Sequence, residues 1–186
     1  NVSESHFVPT TGYGYNDRGR EKLDEDYSRI FRTEDALVRY SFASGTHALS
    51  TALFGILRPG DKVLSVTGKP YDTMKDVIGY SQRDIGSLKN FGVDFEYIDF
   101  EFESKEYFEI IKSKLKNKFK AVYIQRSRGY SLRRSLSAED IGKLIESVKK
   151  INPEVITIVD NCYGEFVEVK EPSEYGADLI VGSLIK

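Results

Sequence analysis

Apolar residues along this chain recur with two different periods. In residues 18–31 the apolar residues Leu23, Tyr27, Ile30 and Phe31 have helical spacing, with charged residues between them. In residues 141–148 apolar residues follow the spacing i, i+3, i+4, i+7. Residues 46–58 are apolar around most of a helical circumference and stop at Pro59-Gly60. We predict helices at these places. Further helices are predicted from about Thr73 and over residues 107–115, and Ser137 to Asp140 matches a capping pattern that opens the helix before residue 141.

Between these helices lie short runs rich in β-branched and aromatic residues, which we predict to be strands. They are Ala36–Phe42, Lys62–Val66, Val93–Phe100, Phe119–Gln125, Glu154–Asp160 and Ala177–Ser183. The last two are too apolar to have a solvent-exposed face, so we expect helices to cover both of their sides. The alternation of strands and helices predicts an α/β fold, a three-layer sandwich around a mostly parallel sheet. Residues 1–32 are predicted to form an arm and a helix, and residues 33–186 one large domain.

Composition narrows the class of protein. The chain has 186 residues, and its 27 basic and 29 acidic side chains leave a net charge of −2, which argues against nucleic acid or an anionic membrane as a partner. It contains no long apolar run that predicts a membrane span. The single cysteine, Cys162, has no internal partner for a disulfide, so we expect a cytoplasmic protein. The chain lacks a signal-peptide pattern and an initiator Met, so we expect it to be part of a longer protein.

In parallel sheets ligands bind at the carboxyl ends of the strands, and the first such end is followed by Ser44-Gly45-Thr46 and a helix. The free N–H groups of a first helical turn favour an anion such as phosphate, and glycine allows it to approach closely. An ordinary Ser/Thr helix cap is the simpler alternative. His47 has no second histidine nearby, so we predict no metal site.

Two further loops carry candidate binding residues. Tyr71 follows the strand at residues 62–66 and offers a ring that can stack on a flat ligand, although a loop aromatic that covers the core edge explains it equally well. Arg126 and Arg128 follow the strand that ends at Gln125, where two guanidinium groups suit a carboxylate or a phosphate. A salt-bridge network within the loop is the alternative.

The most suggestive residues follow the last two strands. Asp160 closes an apolar strand where a carboxylate is costly to bury without a partner, although a turn or cap is also consistent. Cys162 has no evident partner base and is predicted to be a buried structural residue. Ser183 and Lys186 follow the final strand. Together with the anion-binding helix start, an acid and an amine at strand ends are what pyridoxal 5'-phosphate needs: a phosphate site, an acid for the ring nitrogen and a lysine for the aldehyde.

Several stretches resemble the methionine gamma-lyase-like family, also called the aluminium resistance family, a branch of the fold-type-I enzymes that use pyridoxal phosphate. The stretches are SGTHA (44–48), VDNCYGEFVE (159–168), GADLIVGSLIK (176–186), GYGYNDRGRE (12–21) and IQRSRGYSLRRSLS (124–137). The resemblance covers nearly the whole chain. It implies the large, cofactor-binding domain of such an enzyme, without the smaller C-terminal domain that supplies the arginine for the substrate carboxylate.

The resemblance also implies roles for individual residues. Lys186 would be the Schiff-base lysine, Asp160 the partner of the pyridine nitrogen, and Tyr71 the residue that stacks on the ring. The phosphate would be held by Ser44, Gly45, Thr46 and Ser183. Tyr13, Tyr15 and Arg18 would reach a neighbouring subunit's site, which implies a homodimer or homotetramer.

The expected function is a carbon–sulfur lyase of amino-acid metabolism. It would eliminate a thiol from a substrate of the cystathionine, methionine or cysteine class, with the freed lysine as general base. A pyridoxal-phosphate aminotransferase is an alternative, because the same cofactor contacts serve both reactions. A binding or regulatory protein that keeps the fold without turnover is another. A nucleotide-binding Rossmann domain is disfavoured, because no Gly-x-Gly-x-x-Gly follows the first strand.

Overall fold

The computed structural model describes residues 2–10, 13, 16–81, 85–102 and 104–186. Its contacts divide the chain into two compact units, residues 1–43 and 44–186. This boundary lies further along the chain than the predicted one after residue 32. The identity of the second unit as a separate cofactor domain stays a prediction.

The first unit contains a 3₁₀ turn, Glu4–Phe7, and helix α1, Arg18–Phe31. Asp17 caps α1 by accepting a hydrogen bond from the Arg20 N–H, and the predicted helix is confirmed. The strand predicted over residues 36–42 is wrong. The N–H of Val38 donates to the Asp24 carboxylate at 2.8 Å, and the Arg39 guanidinium pairs with the same carboxylate at 2.7 Å. These bonds tie the segment to a side chain of α1 instead of to a ladder of strands.

The second unit alternates helices and strands as predicted, and it consists of the following elements. They are α2 (Gly45–Ile56), β1 (Lys62–Ser65), α3 (Asp72–Ile78), β2 (Asp94–Tyr97), α4 (Lys105–Leu115), β3 (Ala121–Gln125), α5 (Ala138–Ile151), β4 (Ile156–Asp160), a 3₁₀ turn (Pro172–Tyr175) and β5 (Leu179–Val181). The capping pattern before α5 is confirmed, because the Ser137 hydroxyl accepts from the N–H of Asp140 and the Asp140 carboxylate accepts from that of Ser137.

The five strands form one sheet in the order β2-β1-β3-β4-β5. Every pair in it is parallel. Helices α4 and α5 cover one face and α2 and α3 the other, so the three-layer α/β prediction is confirmed. All five residues of β3 are buried, as expected for a strand covered on both sides. The chain reverses its direction across the sheet between β1 and β3, so this topology places a ligand crevice at the carboxyl ends of the central strands.

Among the described residues, no helix has the length and apolarity needed to cross a membrane.

Candidate active site

A cavity of about 250 Å³ lies at the carboxyl edge of the sheet, close to the lower end of the range of ligand pockets, roughly 300 Å³. Its walls come from the start of α2, from the loops after β1, β3 and β4, and from the residues after β5. The lining residues are Gly45, Thr46, Leu49, Tyr71, Thr73, Met74, Ser127, Arg128, Gly129, Tyr130, Ser135, Asp160, Cys162, Tyr163 and Lys186. The fold therefore brings together six of the predicted site residues, which come from distant parts of the sequence: Gly45, Thr46, Tyr71, Arg128, Asp160 and Lys186.

The start of α2 forms one wall of this cavity. Ser44 is the N-cap, and its hydroxyl accepts a hydrogen bond from the His47 N–H at 3.1 Å. The helix cap considered as an alternative therefore exists, and it leaves other first-turn groups available. In the part of the chain that the structure describes, the N–H groups of Gly45 and Thr46 have no partner, whereas the Thr46 hydroxyl bonds to that of Thr73 at 2.6 Å. Two N–H donors therefore point from a helix start at a cavity wall.

Gly45 keeps this corner of the site open. A β-carbon added there would lie 3.2 Å from Ser183 Cβ, 3.3 Å from Cys162 Sγ and 3.8 Å from Lys186 Nζ. Ser183 is thus next to the helix start without lining the cavity, and its N–H donates to Glu165 at 2.7 Å. A side chain at position 45 would press on Ser183 and Cys162 and reach contact distance of Lys186.

Asp160 is the buried acid of the site, with 4% of its surface exposed. Its Oδ2 accepts a hydrogen bond from the Tyr123 hydroxyl at 3.0 Å, and its Oδ1 accepts one from the Cys162 N–H at 3.2 Å. Burial raises the pKa of the carboxyl group, while the bonds from Cys162 and Tyr123 and the charge of Lys186 pull it down. A positive group bound in the cavity would lower that pKa further and stabilise the anion.

Cys162 is a buried thiol beside this acid. Burial and the neighbouring Asp160 carboxylate raise its pKa to about 12. Only a thiolate is a good nucleophile, so the thiol remains protonated near neutral pH. This agrees with the prediction of a structural cysteine.

Lys186 lines the cavity near the start of α2, and its side chain is exposed. Its ammonium nitrogen lies 4.8 Å from the centroid of the Tyr163 ring, which is a cation–π contact. Tyr163 has a positive φ of 72°, a conformation that is costly for a residue with a bulky side chain and is often kept at functional sites. Nothing in the sequence pattern had marked this tyrosine.

Tyr71 lines the cavity from the loop before α3. Its N–H donates to the Gln125 side chain at 2.8 Å, which ties the loop to the end of β3. Its ring lies 5.7 Å from that of Tyr130 at an angle of 31°, and a hydrogen bond with Tyr130 raises the pKa of its hydroxyl. The ring is therefore one of a pair of aromatic surfaces at the cavity mouth.

The two predicted arginines differ in their environment. Arg126 does not line the cavity; its buried guanidinium donates to Asn161 at 2.8 Å and to the Gly164 carbonyl at 2.9 Å, and it pairs with Glu168 and Glu171. For Arg126 the structure thus favours the salt-bridge network over the ligand clamp. Arg128 lines the cavity and also an adjoining one of about 410 Å³, and it is exposed.

The remaining predicted residues lie in the first unit or outside the description. Tyr13 is 83% exposed, and Arg18 is the first residue of α1. Tyr15 lies outside the described residues. Their assignment to a neighbouring subunit's site stays a prediction. No group of three or more His, Cys, Asp or Glu side chains suited to a metal ion occurs in the described ranges.

Sequence reasoning missed four residues of the site: Tyr123, Thr73, Tyr130 and Tyr163. Tyr123 reads in sequence as one more apolar strand residue, and only its contact with Asp160 shows its importance. Thr73 and Tyr130 lie two residues from a candidate and Tyr163 lies three residues from Asp160, so inspection of the flanking positions could have found them.

The chain has clear relatives. An uncharacterized protein of Bacillus subtilis, YnbB, is 48% identical over all 186 residues, which cover 44% of that protein. A solved structure from Clostridium novyi, described as a carbon–sulfur lyase involved in aluminum resistance, is 51% identical. It superposes with a TM-score of 0.92 over 99% of this chain and 44% of its own. The chain therefore spans less than half the length of these relatives.

More distant structures show the same fold. A pyridoxal-5'-phosphate-dependent protein of Escherichia coli, YhfS, is 18% identical and superposes with a TM-score of 0.61 over 88% of this chain and 39% of its own. The predicted α/β fold of the fold-type-I pyridoxal-phosphate enzymes is therefore confirmed. The family model for methionine gamma-lyase matches residues 1–186. This chain belongs to the methionine gamma-lyase family.

Proposed function

We propose that the protein of which this chain is part is a pyridoxal-phosphate-dependent carbon–sulfur lyase that releases a thiol from an amino acid of the cystathionine, methionine or cysteine class. One observation carries the proposal: Asp160, Lys186 and the start of α2 line a single cavity at the carboxyl edge of the sheet. The family match and the lyase description of a relative at 51% identity support the reaction class.

The residues present fit pyridoxal phosphate. The N–H groups of Gly45 and Thr46, with the hydroxyl of Ser44, suit a phosphate at a helix start. Gly45 keeps a space between Ser183, Cys162 and Lys186 that a β-carbon would fill. Asp160 presents a buried carboxylate to the same cavity, and a buried carboxylate without a positive partner is costly.

When bound, pyridoxal phosphate supplies an electron sink that stabilises negative charge on the substrate α-carbon. Lys186 Nζ would hold the cofactor, and its free amine would be the base that takes the substrate α-proton. Asp160 would partner the ring nitrogen as a carboxylate, and Tyr71 would stack on the ring. Arg128, which is exposed at the cavity wall, would attract the substrate carboxylate.

The test uses absorbance of the full-length protein. Lysine-linked pyridoxal phosphate gives a visible band, and Lys186→Ala should abolish it, whereas Lys150→Ala, which removes an exposed lysine of α5, should leave it intact. A K186A protein with an unchanged band refutes the assignment of the lysine. A wild-type protein that never acquires the band with added cofactor refutes the proposed function.

Product analysis then identifies the reaction. A lyase releases a thiol, ammonia and a 2-oxo acid from cysteine, cystathionine or methionine without any second substrate. An aminotransferase forms a 2-oxo acid only when a 2-oxo acid acceptor is present, and it releases no thiol. The cytoplasmic location and a homodimeric or homotetrameric assembly remain predictions.

A further inference from the structure

The buried carboxylate of Asp160 has an electrostatic conflict built into it. Its proposed role requires a negative charge against a ring nitrogen, but burial favours the neutral acid and raises its pKa. The groups that face Asp160 therefore decide whether it can act. Within the described chain they come from three places: the hydroxyl of Tyr123 in β3, the N–H and thiol of Cys162 in the following loop, and the ammonium of Lys186 after β5.

Tyr123 is placed by the sheet to reach this carboxylate. In the parallel register Tyr123 lies opposite Ile158, two residues before Asp160. Since side chains two apart share a face of a strand, Tyr123, Ile158 and Asp160 all face the α2 and α3 side. The tyrosine is fully buried, and its ring packs edge-on against Phe95 at a centroid distance of 5.9 Å. Its hydroxyl therefore has a fixed position, 3.0 Å from Asp160 Oδ2.

The direction of this hydrogen bond is also fixed. Burial and the Asp160 charge raise the pKa of the Tyr123 hydroxyl well above its usual range. The hydroxyl is therefore protonated under all ordinary conditions, and toward an ionised carboxylate it can only donate. A donor held at a carboxylate oxygen favours the charged form of the acid.

We propose that Tyr123 is a positioning residue of the active site, whose hydroxyl holds the Asp160 carboxylate in the orientation and the ionised state that a protonated ring nitrogen requires. The role toward the cofactor rests on the proposed function. The hydrogen bond and its effect on Asp160 do not, because they involve only residues of this chain.

The chain provides a matched control. Tyr107 is also almost completely buried, and its hydroxyl donates to the backbone carbonyl of Val66. Tyr123→Phe and Tyr107→Phe each remove one buried tyrosine hydroxyl and keep the ring, but only the first removes a bond to Asp160. A difference between the two variants therefore reports on the carboxylate and not on a general loss of stability.

The decisive measurement is the titration of Asp160 in the full-length protein freed of cofactor. Carbon-13 NMR of labelled aspartate follows the carboxyl groups, and the signal that disappears in Asp160→Asn belongs to Asp160. In Y123F the pKa of Asp160 should rise by about one to two units, the effect of one lost hydrogen bond to a charged group. In Y107F it should equal that of wild type. Equal pKa values of Asp160 in Y123F and Y107F would overturn the proposal.

A second substitution at position 123 should shift the pKa of Asp160 in the opposite direction while it preserves the fold. A fluorinated tyrosine at position 123 is a stronger hydrogen-bond donor of nearly the same shape, so it should lower the pKa of Asp160 below that of wild type. An unchanged or higher value contradicts the assigned donor.

Cofactor binding separates this inference from the proposed function. In wild type, the dissociation constant of pyridoxal phosphate should increase as Asp160 becomes protonated, and in Y123F this increase should begin about one to two pH units higher. A cofactor affinity in Y123F with the pH dependence of wild type would overturn the positioning role. If wild type binds no pyridoxal phosphate at any pH, the proposed function fails, while the NMR titration still decides whether Tyr123 governs Asp160.

Discussion

Replacing Arg126 by alanine distinguishes a structural arginine from one that clamps a ligand. The guanidinium is 5% exposed and connects the loop after β4 to the rest of the second unit. It donates to Asn161 Oδ1 at 2.8 Å, to the Gly164 carbonyl at 2.9 Å and to the Leu136 carbonyl at 3.3 Å. It also pairs with Glu168, and with Glu171 at 3.6 Å. Asn161 and Gly164 flank Cys162 and Tyr163, so this network supports one side of the cavity.

The expected loss of stability follows from what remains after the substitution. The side chain of Glu171 is 7% exposed and would keep a charge with no cation beside it, although Asn161 and the N–H of Phe166 still donate to it at 3.0 and 2.9 Å. Removal of one partner from a buried ion pair costs about 3–5 kcal/mol. For a chain of this length that corresponds to a melting temperature lowered by roughly 6–20 °C.

Thermal unfolding followed by circular dichroism measures this loss, and Lys150→Ala is the control. Lys150 pairs with Glu146 on the surface of α5, where both side chains are at least 65% exposed, so solvent screens the pair and its removal should leave the melting temperature unchanged. If Arg126→Ala has the same melting temperature as Lys150→Ala and only weakens substrate binding, Arg126 is a ligand clamp and our interpretation of the network is wrong.

Three further predictions concern the end of β4 and the loop that follows it. Gly164→Ala should destabilise the protein much as Arg126→Ala does, because a β-carbon there would lie 2.3 Å from Arg126 Nη1 and 2.5 Å from its Cδ; a melting temperature equal to that of wild type would contradict this. Asp160→Asn should stabilise the cofactor-free protein against urea at neutral pH. Since the folded pKa of Asp160 is raised, its contribution to stability is present below the unfolded pKa and is lost as the pH rises through the folded value. The extra stability of Asp160→Asn over wild type should therefore vanish at about pH 3. An Asp160→Asn protein that is less stable than wild type at neutral pH would refute the reasoning. Finally, Cys162, with a pKa of about 12, should react with iodoacetamide at neutral pH roughly a thousandfold more slowly than in the urea-unfolded chain; comparable rates measured by mass spectrometry would show that the thiol is not held protonated.

Most of the fold was predictable because hydrophobic spacing is a local property. The buried stripe of α5 and the apolar runs that became β3 and β4 each specify their own element whatever lies elsewhere. The failure at residues 36–42 has the same origin. Val38 and Arg39 have the composition of a strand, but their backbone and side chain bond to Asp24, fourteen and fifteen residues earlier, and local pattern carries no information about such a partner.

The sequence by itself determined most of the elements, the parallel sheet and the candidate residues at the ends of its strands, because side-chain spacing and position after a strand follow directly from residue order. Only the tertiary structure decided which candidates share a cavity. Gly45, Asp160 and Lys186 line one cavity, Arg126 bonds to groups of the loop after β4, and the Tyr123 hydroxyl donates to Asp160. These outcomes depend on register between strands and on which groups are desolvated together, and both arise only when residues distant in sequence pack against one another.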